Sequence, residues 1–226
     1  MKRLKISTTV LAALLLGAPA TSAFALLPTL SALAYPLHLN FVDNGATELK
    51  WETTAGSKLE GKGVSLLLIA TALSESGTFR LSFLQVKLGT TSCNTEGDAA
   101  GEVLFTAGEY HLVYPSLSPL TLGLAFSVGE ITSTCGTLKI NLRGCLLASV
   151  TDPKAESAEV GLATAEVTGA KGKNTLTKFY NAEGTGTVEC KVEANFGTGY
   201  LQSDFVIGEP LHLVALESGM FKISPI

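Results

Sequence analysis

Acyl-transfer chemistry needs a base beside a serine or cysteine, and the chain offers three histidines for that role, His38, His111 and His212. His38 and His212 stand in identical strings, Pro36-Leu37-His38-Leu39 and Pro210-Leu211-His212-Leu213, each opening an alternating run. If those two strands enter neighbouring positions, the imidazoles meet within ~10 Å as a metal pair or a pH-sensitive contact. Otherwise each ring fills a polar slot on its own strand. Ala125-Phe126-Ser127-Val128-Gly129 has the small-x-Ser-x-Gly form of a hydrolase nucleophile. That motif works only where a strand turns sharply into a helix, and here the pattern continues as strand toward Ile131, which argues against catalysis.

Carboxylates are the other source of chemistry. A glycosidase needs two of them about 5 to 10 Å apart, and Asp43, Glu48, Glu52, Glu60, Glu96, Asp98 and Glu102 are all available. None stands out. Glu96, Asp98 and Glu102 crowd one Gly/Ala-rich loop where hard oxygens suit Ca²⁺, but their spacing follows no established calcium loop, and a solvated acidic loop is the simpler reading. Carbohydrate binding would use exposed aromatic platforms. Trp51, the only tryptophan, falls on the inner face of its strand, leaving Tyr110, Tyr114 and Tyr200 as surface candidates against a core role for the same rings.

The first 25 residues read as a separate object. Lys2, Arg3 and Lys5 precede an apolar stretch from Val10 to Leu16, and Ala23-Phe24-Ala25 supplies small residues at the positions a signal peptidase reads. The apolar run is shorter than the ~20 residues of a spanning helix, which disfavours an uncleaved anchor. Absence of a cysteine at the cut disfavours a lipoprotein. The expected organisation is a signal peptide at 1–25 and a single β-rich domain at 26–226, secreted or held at the cell envelope. Loss of the leader's three cations leaves a net charge of about -7, so nothing draws the exported chain to nucleic acid or anionic lipid.

Export makes cysteine oxidation the expected state. Cys93, Cys135, Cys145 and Cys190 allow three pairings, and order along the chain does not choose among them. The preferred pairing joins Cys93 to Cys135 and Cys145 to Cys190, closing two loops of about 40 residues. In the chain-entropy model each loop is worth ~4 kcal/mol before native strain is subtracted. Structural bridges are favoured over a metal site because no Cys-x-x-Cys step or Cys/His cluster occurs, and no cofactor is implied.

The elements that must position these residues are strands. Only 16% of residues are charged, and short alternating runs broken by Gly, Asn, Ser or Pro recur throughout, as in an antiparallel protein with one wet and one dry face. Thr187 to Asn195 alternates most cleanly, with Val188, Cys190, Val192 and Ala194 on one face. Leu138–Leu142 and Leu120–Val128 alternate similarly. Further candidates are Leu37–Val42, Glu48–Thr54, Val64–Ala70, Glu102–Thr106, Tyr110–Tyr114, Leu176–Tyr180, Leu201–Ile207, Leu211–Leu216 and Met220–Ser224. Between Thr78 and Leu88 the apolar positions change from odd (Phe79, Leu81, Phe83) to even (Leu84, Val86, Leu88), which predicts either a β-bulge or two short strands with a bend. Asp152 to Gly172, poor in large apolar residues, reads as a long exposed connection in preference to a short helix. About a dozen strands require an all-β fold, an antiparallel two-sheet sandwich or a barrel.

Two strings carry a resemblance. Ser92-Cys93-Asn94-Thr95-Glu96-Gly97-Asp98-Ala99-Ala100-Gly101-Glu102-Val103, followed by Ser133-Thr134-Cys135-Gly136-Thr137-Leu138-Lys139-Ile140, resembles a group of exported β-rich proteins of unknown function that are numerous in some actinobacteria. Leu49-Lys50-Trp51-Glu52-Thr53 and Leu176-Thr177-Lys178-Phe179 are similar to its flanking segments. The resemblance implies the Cys93–Cys135 pairing and brings no activity with it. Two functions follow as expectations: an exported non-catalytic β-domain serving adhesion, the envelope or ligand binding, and, as the alternative, a secreted carboxylate-based hydrolase. A deep cleft with converging acids would mark the hydrolase, and shallow grooves or patches the binding domain.

Overall fold

The computed structural model describes residues 27–151, 157–163, 176–207, 211–216 and 220–224. The expected leader and the ends of the Asp152–Gly172 segment lie outside them. Every regular element among the described residues is a strand, and every pairing is antiparallel. No helix among them is long and apolar enough to cross a membrane.

Four long strands, β2 (Leu37–Thr53), β3 (Lys58–Ala70), β8 (Leu120–Cys135) and β9 (Leu138–Val150), are shared by two closed circuits of hydrogen bonding. At one end the circuit is completed by β4 (Ser76–Phe83), β7 (Val103–Leu117), β10 (Glu159–Ala163) and β15 (Leu211–Ala215). At the other it is completed by β5 (Lys87–Leu88), β6 (Thr91–Thr95), β13 (Val192–Asn195) and β14 (Tyr200–Ile207). The result is a two-storey, sandwich-like β-barrel whose opposed walls share one core, from Leu39, Leu66 and Phe126 down to Trp51, Ile140 and Leu142. Edge-to-face rings fill it, Phe79 on Phe126 at 5.0 Å and Trp51 on Phe83 at 6.4 Å. A two-stranded ribbon of β1 (Thr29–Ala32) and β16 (Phe221–Ser224) adds Leu30, Phe221 and Ile223 to that core.

Between the storeys the alternation changes phase. On β3 the inward residues are Leu59, Gly61 and Gly63 below and Val64, Leu66, Leu68 and Ala70 above. The facing chain changes phase at the same level, from Phe83 to Val86, so Val64 still pairs with Phe83 and Glu60 with Lys87. Both turns use left-handed backbone, φ +102° at Gly63 and +52° at Gln85. The structure therefore takes the second reading of the Phe83/Leu84 switch, two strands joined by a bend. Where only one partner changes phase, register slips by an odd number of residues. β2 gains three residues on β3 between Asp43 and Glu48, and β8 gains one on β9 between Val128 and Ile131.

Several elements differ from the sequence pattern. The run from Thr187 to Asn195 is two strands, because β12 (Thr187–Glu189) pairs with β11 (Lys178–Tyr180) outside the barrel while β13 enters the barrel wall. Val188 is accordingly 44% exposed, Cys190 is buried in a separate outer cluster, and only Val192 and Ala194 share the barrel core. Within the stretch taken for a connection, Glu159–Ala163 is β10, with Val160 and Leu162 in the core. Two inward residues give too short an alternation to read. The Leu37/Glu48 and Glu102/Tyr110 runs each fuse into one strand, since a bulge interrupts the pattern without ending the pairing.

The cysteines pair as Cys93–Cys135 and Cys145–Cys190. Cys93 and Cys135 are directly opposed on β6 and β8. The Cys93 N–H and C=O bond instead to Val86 and Gly101, so this is a non-hydrogen-bonded pair, the closer kind, with Cα atoms 4.2 Å apart. Cys145 lies on β9, and Cys190 lies where the chain passes from β12 to β13. Their bridge centres a second apolar cluster in which Leu176 and Phe179 cover Val113, Ala125 and Leu147 on the outside of β7, β8 and β9. Each bridge closes a loop of similar span, 42 and 45 residues. Replacing Cys145 and Cys190 together by alanine is expected to lower stability by about 4 kcal/mol. In denaturant titrations with hydrogen exchange, amides of the β11–β12 cover should lose protection before those of β2 and β3.

Candidate functional site

The histidines and the serine singled out for chemistry do not converge. His38 and His212 occupy neighbouring strands and face outward, but Leu216 N–H bonds to His38 C=O while His212 pairs with Gly161. They are therefore offset by four residues, about 13 Å along the strands, too far to ligate one ion. His111 sits half-exposed on β7, its Nε2 3.9 Å from the Glu109 carboxylate. Ser127 is an exposed mid-strand residue of β8, which runs on to Cys135 without the strand-to-helix turn a nucleophile needs. No three His, Cys, Asp or Glu side chains come together as a metal set among the described residues, the Glu96–Glu102 loop included.

The aromatic platforms are corrected as well. Tyr110 and Tyr114 do share a strand face, but it is the inner one, and they are 1% and 3% exposed. Tyr200 has its ring face covered by the Arg143 guanidinium, 3.6 Å from the centroid, and Arg143 is held there by Glu193 at 2.9 Å. Burial and the Glu130 carboxylate raise the Tyr200 hydroxyl above its ordinary pKa. Trp51 is buried, its Nε1–H donating to Ser203 Oγ, which donates in turn to Val192 C=O.

A concave site is present elsewhere. At the bend between the storeys, β2, β3 and β5 are hollowed into an open groove of about 460 Å³ lined by Glu48, Lys50, Glu60, Lys62, Gln85 and Lys87, together with the apolar Leu49 and two glycines, Gly61 and Gly89. The register sets its charges. Glu48 lies across from Lys62, Lys50 from Glu60, and Glu60 from Lys87, all on one exposed face. Lys50 bonds to Glu52 at 2.8 Å and Lys58 bonds to Glu60. Glu48 and Glu60, both among the candidate carboxylates, are thus brought to one groove on a diagonal of ~7–8 Å. Both are open to solvent with lysines opposite.

Gln85 is the only described non-glycine residue with positive φ, and it lines this groove. The amide could not be read as a site residue from the sequence, although the phase change beside it marked its position. The matching change on β3 was hidden because Gly61 and Gly63 carry no side chain to reveal which way they point. A left-handed non-glycine residue costs about 1 kcal/mol or more. Gln85→Gly is therefore expected to stabilise the protein by about 1 kcal/mol in denaturant titration, with the groove's amide lost.

Tyr110 supplies a second test. Its hydroxyl is buried without a hydrogen-bond partner among the described residues, and burial, with Tyr35 adding to it, pushes its pKa far up. The folded state then keeps the proton while the unfolded chain releases it near pH 10, so stability falls as pH rises above about 10. Tyr110→Phe removes an unpaired polar group and should gain about 1 kcal/mol at pH 7. It should also flatten the alkaline loss, read from melting curves between pH 7 and 11. In comparison with known proteins, the chain matches no family model, no curated protein and no solved structure.

Proposed function

We propose that this chain is an exported, non-catalytic β-domain that binds an extracellular or envelope polymer in the groove of Glu48, Lys50, Glu60, Lys62, Gln85 and Lys87. The observation that carries this reading is the groove itself: open, rimmed by charged side chains, placed on a rigid sheet, and holding the strained Gln85. Two disulfides suit an oxidising compartment, and Ala23-Phe24-Ala25 gives the leader a cleavage step that leaves Leu26 first. The resemblance of the Cys93 and Cys135 segments to exported actinobacterial proteins points the same way. The hydrolase alternative keeps one specific support, the diagonal Glu48 and Glu60 carboxylates.

The test uses the secreted protein, whose intact mass should begin at Leu26. Incubated with isolated cell-envelope polysaccharide, it should co-sediment and release no reducing ends. Glu60→Trp lays an indole across the groove at an exposed strand position that tolerates aromatics. It should abolish co-sedimentation while melting near the parent temperature. Undiminished sedimentation of this variant would sink the reading. Reducing ends that disappear in Glu48→Gln would install the hydrolase in its place.

A further inference from the structure

The charges of the groove do not cancel. Lys50 is engaged by Glu52 and Glu60 by Lys58, both partners lying outside the lining residues. That leaves Lys62, Lys87 and Glu48, none of which has an ion pair within the described residues. Lys87 pairs through its backbone with Glu60, and Lys62 is two residues further along β3 on the same exposed face. The two lysines are therefore diagonal neighbours, ~7–8 Å apart at their Cβ atoms. Their four-carbon stems let both ammonium groups reach one anion between them. Gln85, facing Lys62 across the bend, adds a neutral amide that donates and accepts hydrogen bonds.

Glu48 has the opposite effect. It stands across from Lys62 on β2, so its carboxylate competes with any incoming anion for that ammonium and repels a second negative charge. It also offers an acceptor to hydroxyl groups. An anion site with one carboxylate on its rim suits a ligand of sparse negative charge and many hydroxyls, and disfavours a dense polyanion. We infer that the groove recognises a single carboxylate or phosphate group carried on a hydroxyl-rich chain, clamped by Lys62 and Lys87 and limited by Glu48. This rests on the groove being the binding site proposed above, and it names the ligand's chemistry.

The two sources of such an anion, an acidic sugar and a sugar or polyol phosphate, are separated by the probes. Calorimetric titration of the secreted protein would use a glucuronate-containing oligosaccharide, its neutral glucose counterpart and glycerol phosphate. At least one acidic probe should bind at least tenfold more tightly than the neutral one, and the preferred probe identifies the source. Binding should weaken on going from low to high salt. Lys62→Gln/Lys87→Gln should lower affinity tenfold or more. Glu48→Gln, which frees Lys62, should raise it several-fold. A merely structural role for these exposed side chains would move neither value.

Equal binding of acidic and neutral probes, or weaker binding by Glu48→Gln, would overturn the inference. Failure of all three probes, together with polymer co-sedimentation that Glu60→Trp abolishes, would overturn the anion assignment and leave the groove as the site. Co-sedimentation that survives Glu60→Trp would remove the groove reading and the inference with it.

Discussion

Side chains on a β-strand alternate with a period of two, and this parity must be reconciled wherever long strands serve two circuits of partners. β3 and β8 change which residues face inward at mid-length, while β2 and β9 keep theirs. The consequences follow arithmetically. Where both neighbours change, as β3 and the β4–β5 chain do, register is conserved. Where one changes, an odd number of residues is inserted, three on β2 and one on β8. The waist is the level at which these adjustments coincide, and it lets one apolar core run through both storeys.

The adjustments require backbone that most residues avoid. Gly63 at φ +102° and Gly144 at φ +117° meet that need, and a Cβ on Gly144 would lie 2.1 Å from the Lys191 carbonyl oxygen. Gln85 takes the same kind of conformation at greater cost. Beside Gly144, Cys145 ties the wall to the point where the chain passes from the outer cover into β13. Below it, Cys93–Cys135 fixes β6, a strand with few apolar residues to hold it, to β8. The waist is thus the level at which strained backbone, the Cys145–Cys190 tie and the open groove all fall.

The proposed function rests on that placement. A bent, multiply paired sheet holds Glu48, Lys62 and Lys87 at spacings set by backbone hydrogen bonds, the fixed geometry on which the proposed recognition rests. The same openness leaves Glu48 and Glu60 exposed to solvent.

The sequence by itself determined the fold class, because alternation, glycine punctuation and low charge exclude helices and demand two dry faces. It located the parity change at Phe83 and Leu84, leaving bulge or bend open, since a parity change is a local property that survives without knowing the partner strand. It also placed Trp51 inside. Tertiary structure alone decided the rest. Tyr110 and Tyr114 went to the core because alternation reports that two residues share a face without saying which face is dry. The alternating run around Cys190 broke because its two halves pair in different sheets, and β10 became a strand only through β15 and β9. His38 and His212 were separated by register, a relation between strands on which one strand's sequence is silent. The groove was the least legible feature of all, for its lysines lie on three strands and become neighbours only when hydrogen bonds set their rows side by side.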